Sequence, residues 1–291
     1  MYTTLIHRAD LDDSARAALL ALAPGELQAS ADGYVLRHAR PLASQECEIL
    51  RQQLVCDINT LPPGFDPEAV RLLITDMDST LINIECVDEI ADYLGVKAQV
   101  AAITESAMRG EIDFATSLTK RVSLLQGVKI ADLQDVYDTR LKPNPGAEQL
   151  LAGLKTRGIR VALVSGGFTF FTERLKQRLG LDYAKANVLE VEGDMLTGRI
   201  IGTILDAQGK ARYLEQLCQE LGIAPAQAIA VGDGANDLLM MKPAGLSVAY
   251  HAKPAVRAQA TTAINYGGLD SILFMLNYSR TYKSAIPGAF V

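Results

Sequence analysis

The 291-residue sequence has no tryptophan, and aromatic residues make up only 6% of it. Proteins that bind single-stranded nucleic acid stack the bases on aromatic side chains, so this composition disfavours that class. The sequence also has no basic run. Its 28 Lys and Arg residues are outnumbered by 34 Asp and Glu residues, which gives a formal net charge of −6. We therefore expect no nucleic-acid partner, since such proteins carry a basic patch or stripe.

Long apolar runs and paired cysteines are also missing. No stretch approaches the roughly 18 apolar residues of a membrane-spanning helix, and the N-terminal residues lack the basic and apolar regions of a signal peptide. The four cysteines, at positions 47, 56, 86 and 218, form no Cys-x-x-Cys pair, which favours reduced thiols. These absences lead us to expect a cytoplasmic protein without a membrane partner.

The sequence does contain a hydrophobic fraction of 49%, enough to bury a core in a chain of about two domains. Four short apolar segments lie at 72–75, 161–164, 228–231 and 246–249. The first three lack polar alternation, as expected for strands that are covered on both faces. Amphipathic helical patterns separate them. The alternation predicts an α/β fold with a doubly wound, mostly parallel sheet.

The spacing of these segments predicts three parts of the chain. About sixty residues of helical pattern follow the first strand, far more than an ordinary strand–helix connection, so we predict an inserted helical domain over 85–145. Residues 1–66 have strand and helix patterns of their own and end near a Leu-Pro-Pro-Gly turn, which predicts a small α+β module. The catalytic core is then expected to comprise 67–84 and 146–291.

Small, acidic or glycine-rich residues follow the first three predicted strands. They are Asp76 and Asp78 after the first strand, Ser165, Gly166 and Gly167 after the second, and the Gly-Asp-Gly-Ala-Asn-Asp segment 232–237 after the third. In an open parallel sheet, ligands bind outside the C-terminal ends of the strands. The three strand ends together therefore predict a site where a phosphate and a metal ion could lie side by side.

A phosphatase with a covalent intermediate needs an ionised nucleophile, a proton donor and a cation. The Asp76 carboxylate is ionised at neutral pH and is our candidate nucleophile, and Asp78 is the candidate donor of a proton to the leaving alkoxide. Mg²⁺ prefers oxygen ligands, for which Asp76 and Asp233 are the candidates, with Asp237 supporting them. These residue types in this order point to phosphoryl transfer.

The phosphate oxygens also need hydrogen-bond donors. Ser165 offers a hydroxyl, Gly166 and Gly167 offer N–H groups where a helix begins, and Lys210 offers a cation. Each feature alone has an ordinary explanation, since glycine turns and solvated loop lysines are common. Their occurrence with the paired aspartates at three strand ends favours catalysis.

Together, these motifs resemble the four signature motifs of the haloacid dehalogenase superfamily, and the similarity covers about residues 72–260. The continuation over 81–90 is similar to that of members that hydrolyse O-phospho-L-serine to L-serine and phosphate, the last step of serine biosynthesis. The resemblance implies a Rossmann-like core, a helical cap over 85–145, Mg²⁺ as the cofactor and an aspartyl-phosphate intermediate. The substrate it implies is a small molecule.

The resemblance also assigns roles to individual residues of the core. Asp76 matches the phosphorylated aspartate and Asp78 the general acid and base. The Asp76 carboxylate, the Asp78 main-chain carbonyl and the Asp233 carboxylate match the Mg²⁺ ligands. The positions that match the phosphate-binding residues and the end of the fourth motif are Ser165, Gly166, Lys210, Asn236 and Asp237.

In the cap, the resemblance places Glu85 against the substrate amine and Arg121 against the substrate carboxylate. Met108 and Phe114 match apolar contacts. These roles suit phosphoserine, because a zwitterion needs an anion for its ammonium and a bidentate cation for its carboxylate. Some superfamily members carry an ACT-like regulatory domain at their N-terminus, and the order of elements over 1–66 is compatible with one.

Three other functions remain open at this point. A phosphotransferase that passes the phosphoryl group to an acceptor such as homoserine needs the same first half-reaction. A non-catalytic protein that binds a phosphorylated ligand would have little need for both Asp76 and Asp78. A dinucleotide-dependent oxidoreductase is disfavoured because neither glycine-rich segment reads Gly-x-Gly-x-x-Gly. The histidines at 7, 38 and 251 lie outside every motif and are expected to be structural, and a homodimer is one arrangement that the sequence permits.

Overall fold

The computed structural model describes residues 1–285, which divide into two compact units. The first unit comprises Met1–Leu73, Pro145–Arg160 and the chain from Cys218 onward. The second unit comprises Ile74–Asn144 and Val161–Leu217. Over the described range, no helix combines the length and the apolar character that crossing a membrane requires.

Regular secondary structure occurs along the whole described range. The strands are β1 (Tyr2–Ile6), β2 (Gly25–Ser30), β3 (Gly33–His38), β4 (Ile58–Thr60), β5 (Leu72–Thr75), β6 (Arg160–Phe168), β7 (Tyr183–Glu192), β8 (Met195–Ile201), β9 (Ala228–Gly232), β10 (Leu246–Tyr250) and β11 (Thr262–Ile264). The α-helices are α1 (Asp13–Leu22), α2 (Ser44–Leu54), α3 (Cys86–Tyr93), α4 (Lys97–Met108), α5 (Phe114–Ser123), α6 (Ile130–Thr139), α7 (Ala147–Thr156), α8 (Thr169–Leu179), α9 (Ala207–Leu221), α10 (Leu238–Met241), α11 (Pro254–Arg257) and α12 (Ser271–Ala285).

The strands form two sheets. The smaller sheet has the strand order β2-β3-β1-β4, and the larger has the order β11-β10-β9-β5-β6-β7-β8. In the larger sheet β10 pairs in parallel with both β9 and β11, and β6 pairs in parallel with β7, whereas β8 is antiparallel to β7. The structure thus confirms the predicted α/β fold with a mostly parallel sheet.

The four apolar segments of the sequence are strands β5, β6, β9 and β10, as predicted. Every residue of β5 and β9 is buried, which explains why these two strands show no polar alternation. Every residue of β10 is buried as well. The hairpin of β7 and β8 was not predicted. Burial alternates along β8, but exposed positions of the hairpin carry apolar residues, so no polar alternation marks these strands in the sequence. These exposed residues are Val188, Val191, Met195 and Ile201.

Residues 1–60 form the smaller sheet with α1 and α2, and the strand and helix patterns predicted there are confirmed. Strand β1 pairs antiparallel with β3 and β4. Two buried side chains, Asn59 in β4 and Asp57 directly before it, bind main-chain groups of β11 and of the residues that follow β11. The Asn59 amide bonds to both the N–H and the C=O of Ala263, and the Asp57 carboxylate accepts the N–H groups of residues 265–267. The domain boundary near residue 66 stays a prediction.

In the second unit, helices α3 to α6 make up most of the segment that was predicted to be an inserted helical domain. One face of α3 is apolar and packs inward, since Val87, Ile90 and Ala91 are buried. The loop before α6 joins the edge of β8 through three main-chain hydrogen bonds of 2.8 Å, which link residues 127–130 to residues 194–196. The limits of a cap at 85 and 145 stay a prediction.

His7, which follows β1, gives the fold a dependence on pH. Its ring packs edge-on against Phe274, with the centroids 5.2 Å apart. Burial lowers the pKa of His7 from 6.5 to about 4, and the nearby Asp57 carboxylate offsets only part of this effect. The unfolded chain therefore takes up a proton at His7 below pH 6.5 that the folded chain takes up only near pH 4.

We therefore expect the free energy of unfolding to fall by about 2 kcal/mol between pH 7 and pH 5 through His7 alone. Urea unfolding at the two pH values measures this change. The His7→Gln variant lacks the titrating ring, so its free energy of unfolding should fall by about 2 kcal/mol less than that of the wild type between pH 7 and pH 5. An unchanged pH dependence in the variant would show that His7 does not control stability in this range.

Candidate active site

Asp76 follows the last residue of β5 and is only 5% exposed. Its Oδ1 atom accepts the N–H of Met77 at 2.7 Å and lies 2.8 Å from the Nζ atom of Lys210. Lys210 is 1% exposed, so it is not a solvated loop lysine. A carboxylate and an ammonium at this distance compensate each other's charge inside the protein, where either alone would be costly to bury.

The first turn of α9 holds Lys210 in place. Asp206, which directly precedes the helix, accepts the N–H of Gly209 on its carboxylate at 2.7 Å and the N–H of Lys210 on its main-chain oxygen at 2.9 Å. This is the usual way in which an aspartate begins a helix. Lys210 therefore lies inside the first turn of α9, not in a loop.

Asp78 lies in a tight π-helical turn, Met77–Leu81, in which Ser79 has a φ of 55°. Asp78 is half-buried, and its Oδ1 atom accepts the N–H of Cys86 at 3.3 Å. Burial and the neighbouring Asp78 carboxylate raise the pKa of the Cys86 thiol well above its usual value. The thiol therefore stays protonated and is not a nucleophile.

Asn144 stabilises this turn, and the sequence reasoning missed it. Its side-chain Nδ2 atom faces three main-chain oxygens, those of Ser79 at 3.3 Å, Thr80 at 2.8 Å and Ile82 at 3.0 Å. A positive φ at a residue other than glycine is unfavourable, so this turn needs such support. The only signal in the sequence was the Pro-Asn-Pro-Gly segment, which indicates a turn but not what the Asn side chain binds.

Ser165 and Gly167 lie where the pairing of β6 with β7 is interrupted, between Val164 and Phe168. The Ser165 Oγ atom accepts the N–H of Gly167 at 2.8 Å. A Cβ atom at Gly167 would lie 3.1 Å from the Oδ2 atom of Asp78, a tight contact that would require the Asp78 side chain to shift. The structure thus brings the Ser165 segment and Asp78 together, as predicted from the two strand ends.

Phe114 is the first residue of α5 and lies against the same segment. A Cβ atom at Gly166 would be 3.0 Å from the Cζ atom of the Phe114 ring. Met108, the last residue of α4, is instead 69% exposed. The structure therefore places one of the two predicted apolar contacts beside the glycine segment and the other on the surface, and the role of Met108 stays a prediction.

Arg121 and Glu85 are the charged residues predicted for the cap. Burial lowers the pKa of the Arg121 guanidinium, and the carboxylates of Asp88, Glu85 and Asp78 act in the opposite direction. Its buried Nε atom has no hydrogen-bond partner among the described residues. Glu85 accepts the hydroxyl of Ser79 at 2.7 Å. The second unit therefore holds a buried guanidinium with an unused donor, and the carboxylates of Asp88, Glu85 and Asp78 are close enough to affect its pKa.

The loop after β9 lies in the first unit and carries the last predicted residues. The fully buried Asp237 carboxylate accepts the N–H of Gly234 at 3.1 Å and so shapes the loop. Asp233 and Asn236 are half-buried in the same loop. A Cβ atom at Gly232 would lie 2.5 Å from the Asp237 side chain, which explains why glycine ends the strand.

Three carboxylates within the described residues, those of Asp76, Asp233 and Asp237, form a group that could hold a metal ion. All of the donors are carboxylate oxygens, which suit a hard divalent cation such as Mg²⁺ and do not suit a site built for softer metals. The donor set therefore fits the predicted cofactor.

Comparison with known proteins confirms the predicted superfamily. A family model described as haloacid dehalogenase-like hydrolase matches residues 70–245. A phosphoserine phosphatase of Polaromonas sp. is 58% identical over 221 residues, which cover 74% of this chain and 94% of that protein. A phosphoserine phosphatase of Idiomarina loihiensis is 49% identical over 215 residues, which cover 74% of this chain and 97% of that protein.

Solved structures give the same result. A probable phosphoserine phosphatase from Vibrio cholerae superposes with a TM-score of 0.82 at 36% identity and covers 98% of this chain and 88% of that chain. A phospho-aspartyl intermediate analogue of phosphoserine phosphatase has a TM-score of 0.66 at 43% identity and covers 71% of this chain and 98% of that chain. The chain therefore belongs to the haloacid dehalogenase-like hydrolases, in the phosphoserine phosphatase family.

Proposed function

We propose that the protein hydrolyses O-phospho-L-serine to L-serine and phosphate through an aspartyl-phosphate on Asp76. The observation that carries this proposal is the buried pair of Asp76 and Lys210, whose charged atoms lie 2.8 Å apart at the end of β5. A carboxylate held this way is fixed in direction, and the paired ammonium can bind the phosphate that approaches it. The similarity to phosphoserine phosphatases supports the choice of phosphoserine as the substrate.

In the first half-reaction, an oxygen of the Asp76 carboxylate attacks the phosphorus atom. The bond from phosphorus to the seryl oxygen breaks, that oxygen keeps the electron pair of the bond, and the Asp78 carboxyl group donates a proton to it. Ser165 and the main-chain N–H of Gly166 donate to the phosphoryl oxygens, and Lys210 offsets their charge. Serine then leaves with its hydroxyl restored.

In the second half-reaction, a water molecule attacks the phosphorus atom of the aspartyl-phosphate. Asp78, now a carboxylate, accepts the proton of the water, and the bond from phosphorus to the Asp76 oxygen breaks. Phosphate leaves and both carboxyl groups return to their starting states. Asp78 thus serves as the acid in the first step and as the base in the second, because the second step is the chemical reverse of the first with water in place of serine.

The residues that would hold Mg²⁺ are Asp76 and Asp233 through their carboxylates and Asp78 through its main-chain carbonyl. Asn236 and Asp237 would support them from the loop after β9. When bound, the ion supplies positive charge that offsets the repulsion between the nucleophilic carboxylate and the phosphate dianion. The group of three carboxylates supports this assignment.

The proposed substrate pocket recognises the amino acid part of phosphoserine. Arg121 pairs with the substrate carboxylate, for which its unused Nε donor is suited, and Glu85 faces the ammonium group. Phe114 and Met108 are proposed to contact the apolar part of the substrate.

We also propose the domain limits given by the sequence. The residues Glu85, Met108, Phe114 and Arg121 then lie in a cap over 85–145, the core comprises 67–84 and 146–291, and a separate module comprises 1–66.

Substrate comparison tests this proposal directly. We expect kcat/KM for phosphoserine to exceed that for phosphothreonine by about tenfold, because one extra methyl group must be accommodated. We expect it to exceed that for an aryl phosphate by at least about a hundredfold, because the aryl ester has neither the carboxylate that Arg121 is proposed to bind nor the ammonium that Glu85 is proposed to face. Release of inorganic phosphate measures all three rates. Equal kcat/KM values would contradict the assignment of phosphoserine.

Adding homoserine to the same assay separates hydrolysis from phosphoryl transfer. We expect all of the phosphoryl group from phosphoserine to appear as inorganic phosphate, because water is the acceptor. Phosphorus-31 NMR distinguishes inorganic phosphate from the phosphate ester of homoserine. Accumulation of that ester as the main product would show that the protein is a phosphotransferase.

A further inference from the structure

Asn187, in β7, has a side chain that bridges two separate segments of the second unit. It is 2% exposed. Its Nδ2 atom donates to the main-chain oxygen of Gly166 at 2.8 Å, and its Oδ1 atom accepts the N–H of Leu205 at 2.7 Å. Because the two partners are an acceptor and a donor, they fix which end of the amide faces which segment.

An amide is needed here because the sheet is irregular. In the register of β6 and β7, Asn187 lies opposite Phe168, and the pairing is interrupted between Val164 and Phe168. The Gly166 carbonyl lies within this interruption, where a regular ladder bond is lost. A buried main-chain carbonyl without a partner is costly, and the Asn187 side chain supplies the missing donor.

One end of the bridge controls the direction of the Ser165 hydroxyl. The peptide unit between Gly166 and Gly167 is planar, so holding the Gly166 carbonyl also fixes where the Gly167 N–H points. That N–H donates to the Ser165 Oγ atom at 2.8 Å. The oxygen is thereby engaged as an acceptor, and the hydroxyl proton is directed to another partner, which is a phosphoryl oxygen in the proposed reaction.

The other end of the bridge holds the start of α9. Leu205, whose N–H is bound by Asn187, directly precedes Asp206, the residue that begins the helix. Lys210 lies in the first turn of that helix and reaches Asp76 at 2.8 Å. A shift of Leu205 would therefore be transmitted over about one helical turn to the Lys210 ammonium.

We propose that Asn187 is a positioning residue for phosphoryl transfer. A single buried amide sets the placement of the Ser165 segment and of the lysine-bearing end of α9, which together bind the phosphoryl group. This role rests on the proposed function, because it assumes that Ser165 and Lys210 contact a phosphoryl group. It does not depend on the identity of the alcohol part of the substrate.

The Asn187→Asp variant tests the proposal. Aspartate is nearly isosteric and still accepts the Leu205 N–H, but it places a carboxylate oxygen against the Gly166 carbonyl in place of the donor. We expect kcat/KM to fall at least about tenfold for both phosphoserine and an aryl phosphate, and the inhibition constant of inorganic phosphate to rise by a similar factor. A change at the phosphate end affects every phosphomonoester alike.

The pH dependence gives a signature that simple loss of stability does not. A protonated aspartic acid regains an O–H donor for the Gly166 carbonyl, so the activity of the Asn187→Asp variant relative to the wild type should rise as the pH falls from 8 to 5. The Asn187→Ser variant, whose side chain is too short to span both partners and does not titrate, should lose activity to the same extent at every pH.

Asn59 provides a matched control, because it is another fully buried bridging amide. It accepts the N–H of Ala263 at 2.8 Å and donates to the oxygen of the same residue at 3.0 Å. The Asn59→Asp variant suffers the same chemical change outside the candidate site. We expect it to lower the thermal midpoint of unfolding while the kinetic constants of the folded protein stay within about twofold of the wild type.

These measurements separate the two proposals. If Asn187→Asp and Asn187→Ser retain wild-type kcat/KM per folded molecule, as judged by circular dichroism, Asn187 is only structural and the inference fails. It also fails if the activity of the Asp variant does not recover at low pH. If the wild type turns over an aryl phosphate but not phosphoserine, the proposed substrate fails, whereas the Asn187 test proceeds with the aryl phosphate.

Discussion

Replacing Asp76 with asparagine is expected to abolish phosphoserine hydrolysis, with kcat reduced by about 10⁴-fold or more. The amide is neutral and a poor nucleophile, so the first bond to phosphorus does not form. The substitution also removes the charge that pairs with the buried Lys210 ammonium at 2.8 Å. Release of inorganic phosphate at saturating substrate measures the loss, and circular dichroism shows whether the variant is folded.

Asp12→Asn is the control for this change. Asp12 begins α1 by accepting the N–H of Ala15 at 2.7 Å, a role that asparagine fills equally well. We expect its kcat to equal that of the wild type. A folded Asp76→Asn protein with near-wild-type turnover would contradict the covalent mechanism, because the proposed nucleophile would then be dispensable.

The second large effect is expected at Arg121. Arg121→Lys keeps the positive charge but loses the planar pair of donors that matches a carboxylate. We expect kcat/KM for phosphoserine to fall by about 100-fold to 1000-fold, which corresponds to about 3 to 4 kcal/mol. An aryl phosphate has no carboxylate to contact, so its kcat/KM should change less than about threefold. The two substrates measured side by side show which end of the ligand the residue binds.

Arg109→Lys is the matched control, since Arg109 follows α4 and pairs with Glu111 at 2.6 Å while its side chain is 58% exposed. Exposed pairs of this kind contribute little, so both substrates should be hydrolysed at wild-type rates. If Arg121→Lys lowers the rates for phosphoserine and the aryl phosphate equally, Arg121 acts in catalysis or folding and not in binding the substrate carboxylate.

Local patterns in the sequence were enough to predict the central strands and the residues that follow them. Asp76 and Ser165 were found because apolar runs mark buried strands, and because the ends of parallel strands meet at one edge of a sheet. The same reasoning proposed Lys210, but only the structure shows that this lysine is fully buried and paired with Asp76.

What the sequence did not reveal depends on partners that are distant along the chain. Asn187 gains its importance from Gly166 and Leu205, which lie 21 and 18 residues away, and Asn144 from carbonyls more than 60 residues away. The sequence around an asparagine in a strand or turn contains no pattern that predicts such distant hydrogen bonds. For the same reason, no local signal showed that Met108 is largely exposed.

Chemical trapping of the intermediate tests the central claim most directly. The wild type is mixed with phosphoserine and Mg²⁺, quenched within one turnover, and treated with borohydride, which reduces an acyl phosphate to an alcohol but leaves free carboxylates intact. Peptide mass spectrometry then locates the modified residue. We predict reduction at Asp76, dependent on phosphoserine and absent from Asp76→Asn. Reduction at another residue, or full hydrolytic activity with no trapped acyl phosphate, would contradict the proposed mechanism.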